Sequence, residues 1–182
     1  MAREADTVDW VFAYGSLMWN PGFDAGAAVL ARLHGYRRSF CMWSIHHRGT
    51  EQDPGLVLAL DAEPGASCAG MAFRFPVEGR AEILGDLRER ELISSAYVEH
   101  VVPLSLATGE EVEALAYVIA PGHPQYCGGL TMARQAEVIA AAHGGRGPNS
   151  EYLYNTATHL AELGIEDAEL TQLAADVRAL KG

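Results

Sequence analysis

Apolar and polar positions are arranged in two different ways along this chain. Up to about residue 119 the apolar runs are short, rich in β-branched and aromatic residues, and bounded by Gly, Pro or Asp. Trp10–Tyr14, Arg38–Ser44, Leu56–Leu60, Cys68–Phe75, Tyr97–Val102 and Val112–Ile119 fit this description. Each predicts a strand. Later segments switch to helical spacing. Thr131–Ala142 ends at Gly144-Gly145, and Ser150–Leu163 stops at Gly164, a C-cap residue. Asn149 or Ser150 is the expected N-cap of that second helix. The last helix, about Asp167–Leu180, repeats Leu170, Leu173, Val177 and Leu180 on one face. About six strands followed by helices predict an α+β fold with a curved or barrel-like sheet. No repeat or long linker divides the chain, so one domain over residues 1–182 is expected.

One early helix breaks the pattern informatively. In Ala81–Leu92, Ile83, Leu84 and Leu87 define the apolar face. Glu91 lies four residues beyond Leu87, in the middle of that face. Glu82, Asp86 and Glu89 lie on the opposite side. Burying a carboxylate is costly unless it is paired or protonated, and desolvation raises its pKa towards the range useful for proton transfer. Glu91 is therefore either a proton-transfer group, or a helix-end residue that frays outward or pairs with an Arg.

A second local feature is the run Val11-Phe12-Ala13-Tyr14-Gly15-Ser16-Leu17. A buried strand enters a Gly-Ser turn, where glycine opens backbone angles closed to other residues. Successive N–H groups in such a turn can form an anion-binding concavity, suited to a carboxylate.

Composition narrows the chemistry. The formal charge is −11, which disfavours nucleic acid and anionic membranes as partners. The thirteen basic residues are twelve Arg and one Lys, Lys181 near the C-terminus. A P-loop lysine and a Schiff-base lysine are both missing from the inventory. Cys41, Cys68 and Cys127 are widely spaced, which fits neither a disulfide framework nor a Cys-x-x-Cys metal site. Residues 1–9 are polar, without a signal-peptide core, and no apolar run nears the roughly 20 residues of a membrane span. A soluble cytoplasmic protein with reduced thiols is expected.

Other candidates carry less. Ser16 lacks the Gly-x-Ser-x-Gly context of a nucleophile elbow and reads as a turn serine. Cys127, before two glycines, reads as a small loop residue. His46 and His47 are adjacent and would point to opposite faces of a strand, which disfavours a shared metal. Arg48, in His47-Arg48-Gly49-Thr50, either offers its forked guanidinium to a carboxylate or lies exposed on the surface. Tyr97, Tyr126 and Tyr152 are aromatics expected to pack with the hydroxyl on a main-chain carbonyl.

Together these pieces resemble the ChaC family of γ-glutamylcyclotransferases. The landmarks are Trp10 through Pro21, Arg48-Gly49-Thr50, Pro54-Gly55, Arg90-Glu91 with Tyr97 six residues on, Pro124-Gln125-Tyr126, and Gly147 through Leu153. They span roughly residues 9 to 178, in the family's order. Many relatives have Gly where this chain has Ala13, which bears on pocket shape rather than on chemistry. The resemblance implies a compact mixed α/β domain with a small closed or nearly closed sheet. It implies cleavage of glutathione to 5-oxoproline and cysteinylglycine without cofactor, with Glu91 as general acid/base. It also implies substrate binding by Val11, Phe12, Ala13, Tyr14, Gly15 and Ser16, and Leu17 is expected to join them through its main-chain N–H. Arg48, Tyr97 and Tyr126 are further expected substrate contacts, and the expected assembly is a monomer or weak dimer. The alternatives are a cyclotransferase for γ-glutamyl-amino acids or γ-glutamylamines, and a non-catalytic regulatory or binding protein using the same pocket. A Ser or Cys hydrolase is a further reading.

Overall fold

The structure, a computed structural model, describes residues 4–182. Five strands close into a barrel in the order β1-β3-β2-β4-β5. They are β1 (Trp10–Ala13), β2 (Ala27–Ser44), β3 (Gly55–Arg74), β4 (Tyr97–Leu106) and β5 (Glu111–Ile119). β1 pairs antiparallel with β3 and parallel with β5, and β4 pairs antiparallel with both β2 and β5. Four α-helices complete the fold: α1 (Arg80–Leu92), α2 (Met132–Ala141), α3 (Asn149–Glu162) and α4 (Ala168–Lys181). A two-stranded ribbon, His143–Gly144 with Gly147–Pro148, precedes α3. The fold is α+β, as the strand and helix patterns predict.

Six expected strands become five. Leu56–Leu60 and Cys68–Phe75 are the two ends of one strand, β3. The strand continues through Pro64-Gly65, where Gly65 takes φ +85°, an angle that glycine accommodates. The first half of β2 has no counterpart among the expected strands. Its inward positions include Ala31 and Leu33, while Leu30 faces outward. Small inner residues and an exposed leucine hide the alternation.

The chain forms two compact units. The first takes the chain up to Arg38 and Leu60–His123. Its core is built by Val11, Phe12, Leu33, Leu60, Leu104, Leu115 and Tyr117, all buried. β1 is short and lies between β3 on one edge and β5 on the other, with Val11, Phe12 and Ala13 buried and Trp10 partly open. Gly70 of β3 lets this happen: a Cβ there would lie 2.2 Å from the Ala13 carbonyl oxygen and 2.9 Å from the Phe12 ring. Residue 70 must therefore be glycine if β1 is to sit this deep.

The second unit takes Ser39–Ala59 and Pro124–Gly182. Leu56, Ile139, Leu153, Leu173 and Val177 form its core. Gly164 takes φ +72° and ends α3, and Asp167 caps α4 by accepting the Leu170 N–H. The start of α3 departs from expectation. Its cap position is Pro148, and neither Asn149 nor Ser150 caps it. Asn149, the first helical residue, is wholly buried. Its side chain accepts the Leu56 N–H and donates to the Leu56 carbonyl, both at 2.8 Å. It completes the hydrogen bonding of a buried strand end. Three glycines also meet main chain to main chain in this unit. A Cβ on Gly49 would lie 2.0 Å from Gly55 N, and one on Gly144 would lie 2.4 Å from Gly49 N.

Candidate active site

The first unit brings Glu91 and the turn after β1 together. α1 buries Leu84 and Leu87, and Glu91 continues that face. Its side chain is 16% exposed, whereas Glu89, Glu82 and Asp86 are exposed. Desolvation pushes the Glu91 carboxyl above the usual carboxylate range, opposed in part by the neighbouring Arg90 guanidinium.

After Ala13 the chain turns at Tyr14-Gly15 into one 3₁₀ turn, Ser16–Met18. Gly15 has φ −138° and ψ −129°, so the turn does not use a left-handed glycine. Its first internal bond runs from Met18 N–H to Gly15 O at 2.9 Å. The Ser16 and Leu17 amides precede that bond and have no partner within the turn. Val11 through Gly15 and Leu17 are buried; Ser16 is partly open.

Two arginines fix this turn. Arg90, in the last turn of α1, donates from Nη2 to Ser16 Oγ at 3.0 Å and from Nη1 to the Asn20 carbonyl at 2.7 Å. Its Nε lies 3.3 Å from Glu91 Oε1. Arg38 of β2 is 6% exposed. It donates from Nε to the Tyr14 carbonyl at 2.7 Å, and from Nη2 to the Ala69 carbonyl. Sequence reasoning missed both arginines as site supports. The Arg90-Glu91 pair stood in the sequence as a landmark, yet nothing in it pointed Arg90 at residue 16.

A second charged group lies one helical turn back from Glu91. Arg88 is three residues before it, hence on a neighbouring strip of α1. Its Nε and Nη2 hold the two oxygens of Glu99 at 3.0 and 2.9 Å, and Nη2 also reaches Asp6 Oδ1 at 2.6 Å. Tyr117 stands opposite Glu99 in the β4–β5 register and donates its hydroxyl to Glu99 Oε2 at 3.1 Å. Burial pushes the Tyr117 phenol up, and the nearby Glu99 and Glu91 carboxylates add to the effect. The phenol thus stays a hydrogen-bond donor. Tyr97 opens β4, half-buried and opposite Ile119.

The other two expected contacts belong to the second unit. The Arg48 side chain is 13% exposed, not a surface arginine. It donates to the Pro148 carbonyl at 3.1 Å, lies 3.7 Å from Glu151 Oε1, and sits 5.7 Å above the Tyr152 ring. Tyr126 forms an isolated antiparallel bridge with Met42, and its ring folds back over Gly128. The Tyr152 hydroxyl accepts the Leu58 N–H at 3.3 Å.

A family model describing ChaC-like proteins matches residues 9–180. The chain belongs to the ChaC-like family. Its Escherichia coli relative, a glutathione-specific γ-glutamylcyclotransferase, is 36% identical over 171 residues, covering 94% of this chain and 73% of that one. The Schizosaccharomyces pombe protein of the same description is 34% identical over 188 residues, covering 93% and 92%. A crystal structure of a yeast γ-glutamylcyclotransferase specific to glutathione superposes with a TM-score of 0.84 at 26% identity. That match covers 94% of this chain and 96% of the other. The closed barrel with flanking helices is thus the family's architecture. The landmark glycines acquire a physical meaning within it: Gly49 and Gly55 meet at a main-chain junction that admits no side chain. Among the described residues no helix is long and apolar enough to cross a membrane.

Proposed function

We infer that this ChaC-like chain is a glutathione-specific γ-glutamylcyclotransferase, converting glutathione to 5-oxoproline and cysteinylglycine. The observation that carries the reading is a desolvated carboxylate, Glu91, linked through Arg90 to the Gly15–Ser16 turn. The substrate supplies its own nucleophile, the α-amino nitrogen, so neither a serine nor a cysteine is required. Holding the γ-glutamyl group folded makes the attack intramolecular, with effective molarities that reach about 10⁵ M or more.

On this reading the Ser16 and Leu17 amides receive the substrate α-carboxylate, which fixes the α-amino group near Glu91. Glu91 takes a proton from the α-ammonium. The freed lone pair forms the new C–N bond to the γ-carbonyl carbon. A turn N–H or the Tyr97 hydroxyl stabilises the resulting oxyanion. The protonated Glu91 then donates to the cysteinyl nitrogen as the original amide C–N bond breaks, and the second proton of the new ring nitrogen passes to the departing amine, which leaves as an ammonium. Atoms balance without water: one amide is exchanged for another within the glutamyl unit. The chemical step so drawn uses only residues of the first unit. The enzyme works as a soluble cytoplasmic monomer or weak dimer.

The test is incubation with glutathione, γ-glutamyl-alanine and γ-glutamyl-lysine, followed by mass detection of 5-oxoproline. Release from glutathione alone, with cysteinylglycine in equal amount, is expected. Preferential release from either other substrate would move the protein to a sister cyclotransferase. Binding of glutathione without product would make it a binding protein.

A further inference from the structure

Two of the three cysteines face each other. The isolated bridge between Met42 and Tyr126 is antiparallel, which places Trp43 opposite Gln125 and Cys41 opposite Cys127. The hydrogen bonds agree: Trp43 N–H donates to Gln125 O, and Cys127 N–H donates to Cys41 O, each at 2.8 Å. Directly opposed residues of an antiparallel pair project their side chains to the same face. The two residues share one backbone bond, Cys127 N–H to Cys41 O, and a full hydrogen-bonded pair has Cα atoms about 5.5 Å apart. That is the separation at which disulfides form without moving the backbone, about 4.4–6.8 Å. Both cysteines belong to the second unit, so the pair does not depend on any rearrangement between units.

Burial differs across the pair in a way that orders a reaction. Cys127 is half-buried and lies at the start of Cys127-Gly128-Gly129. Cys41 is buried within β2. An external disulfide reaches Cys127 first, and Cys41 needs only to attack across the bridge.

We propose that Cys41 and Cys127 form a thiol pair that is oxidised to an intramolecular disulfide by small-molecule disulfides, with Cys127 as the entry thiol and Cys41 as the resolving thiol. The Cys127 thiolate attacks one sulfur of the incoming disulfide; that S–S bond breaks and one thiolate leaves. The Cys41 thiolate then attacks the Cys127 sulfur, and the second thiolate leaves. Two protein thiols are oxidised, one disulfide is reduced to two thiols, and the two protons pass to the departing thiolates. Reversible disulfides inside cells are mostly catalytic or redox-sensing. The disulfide of glutathione is the reagent of interest, a choice that rests on the proposed substrate; the pairing itself does not.

The experiment exposes the full-length protein to oxidised glutathione or to bis(2-hydroxyethyl) disulfide. Remaining thiols are then alkylated, and intact and peptide masses are measured. Both reagents should lower the protein mass by two hydrogen atoms and link the Cys41 and Cys127 peptides, reversibly with dithiothreitol. Cys41→Ser should halt at a mixed disulfide on Cys127, Cys127→Ser should abolish the link, and Cys68→Ser should leave it intact. The proposal is overturned if wild-type protein keeps both thiols alkylatable, holds a lasting mixed disulfide at Cys127, or links through Cys68. These readouts do not use turnover, so failure to release 5-oxoproline from glutathione would overturn the functional reading and leave this one standing.

Discussion

Arg90 and Ser16 are 74 positions apart, and a 3.0 Å hydrogen bond from the Arg90 guanidinium to the Ser16 hydroxyl joins them. The same guanidinium lies 3.3 Å from the carboxylate of its neighbour, Glu91. A single side chain therefore fastens the end of α1 to the turn after β1 and sets the field at the buried acid. Two opposing effects meet at Glu91. Burial favours its neutral form, Arg90 favours the anion, and burial wins. A carboxyl raised in this way is better matched than an exposed one to both accepting and returning a proton.

Glu91→Gln keeps the shape and removes the titration. Turnover should fall by about 10²–10⁴-fold, the usual contribution of general acid–base catalysis, while substrate still binds. Glu89→Gln, on the exposed face of the same helix, should behave as wild type. Stability moves the other way. The folded pKa of Glu91 is raised, so its protonated form is favoured by folding; that contribution is present below the unfolded pKa and is lost as pH rises through the folded value. Above the ordinary carboxylate range the wild type therefore bears a desolvation cost that Gln does not. Thermal melts should therefore place Glu91→Gln above wild type at pH 7, with the gap closing as pH drops below the ordinary carboxylate range. A variant that melts lower at pH 7 would contradict the desolvation account.

Arg90→Met removes the cation that holds Glu91 down. On the proposed mechanism the acidic limb of the pH–rate profile reports loss of the Glu91 base, and it should shift to higher pH. Ser16→Ala removes one of the two bonds by which Arg90 holds this segment but leaves the charge, so its acidic limb should stay at the wild-type position even where KM rises. Identical profiles for Arg90→Met and wild type would separate Arg90 from the tuning of Glu91.

The inward acid was legible because a helix repeats about every 3.6 residues, and Leu84, Leu87 and Glu91 keep that spacing without any tertiary partner. β1 was legible for a similar reason: Val11 to Ala13 are apolar without interruption, as a fully buried strand must be. Other features depend on residues far away in the chain. Arg38 is buried because it meets the Ala69 carbonyl 31 positions on, and Asn149 because it meets Leu56, 93 positions back. No local period announces a charged or amide side chain that is buried by its partners. The glycines at 49, 55 and 144 look like loop punctuation until the three segments meet.

Arg38→Met tests the support beneath the turn. The charged bonds from Arg38 to the Tyr14 and Ala69 carbonyls are each worth about 1.5–3 kcal/mol, and methionine makes neither while filling most of the volume. Denaturant melts should show a loss in that range or above it. The Tyr14 carbonyl leads directly into Gly15, so residual folded enzyme should show a raised KM together with a reduced kcat. Arg38→Lys should recover part of the stability, since one ammonium can reach one carbonyl. Wild-type kinetics in a folded Arg38→Met variant would remove Arg38 from the positioning of the turn.

Asn149 tests the second unit on its own. Asn149→Ala leaves the Leu56 N–H and carbonyl buried without their partner, at about 1–3 kcal/mol for each. Asn149→Asp is more discriminating because it keeps the shape. When ionised, the introduced carboxylate still accepts the Leu56 N–H, but it cannot donate to the Leu56 carbonyl and instead faces it with negative charge. Protonation restores the donor. The folded pKa of that carboxyl should therefore be raised, and the variant should gain stability as pH falls through it. Asn149→Ala has nothing to protonate there, so its deficit relative to wild type should not shrink with acid in the same way. Melting wild type, Asn149→Ala and Asn149→Asp at neutral and acidic pH checks this. The expected result is that Asn149→Asp approaches wild type only at the acidic end; a constant deficit for that variant across the range would show that the Leu56 carbonyl does not depend on the amide donor.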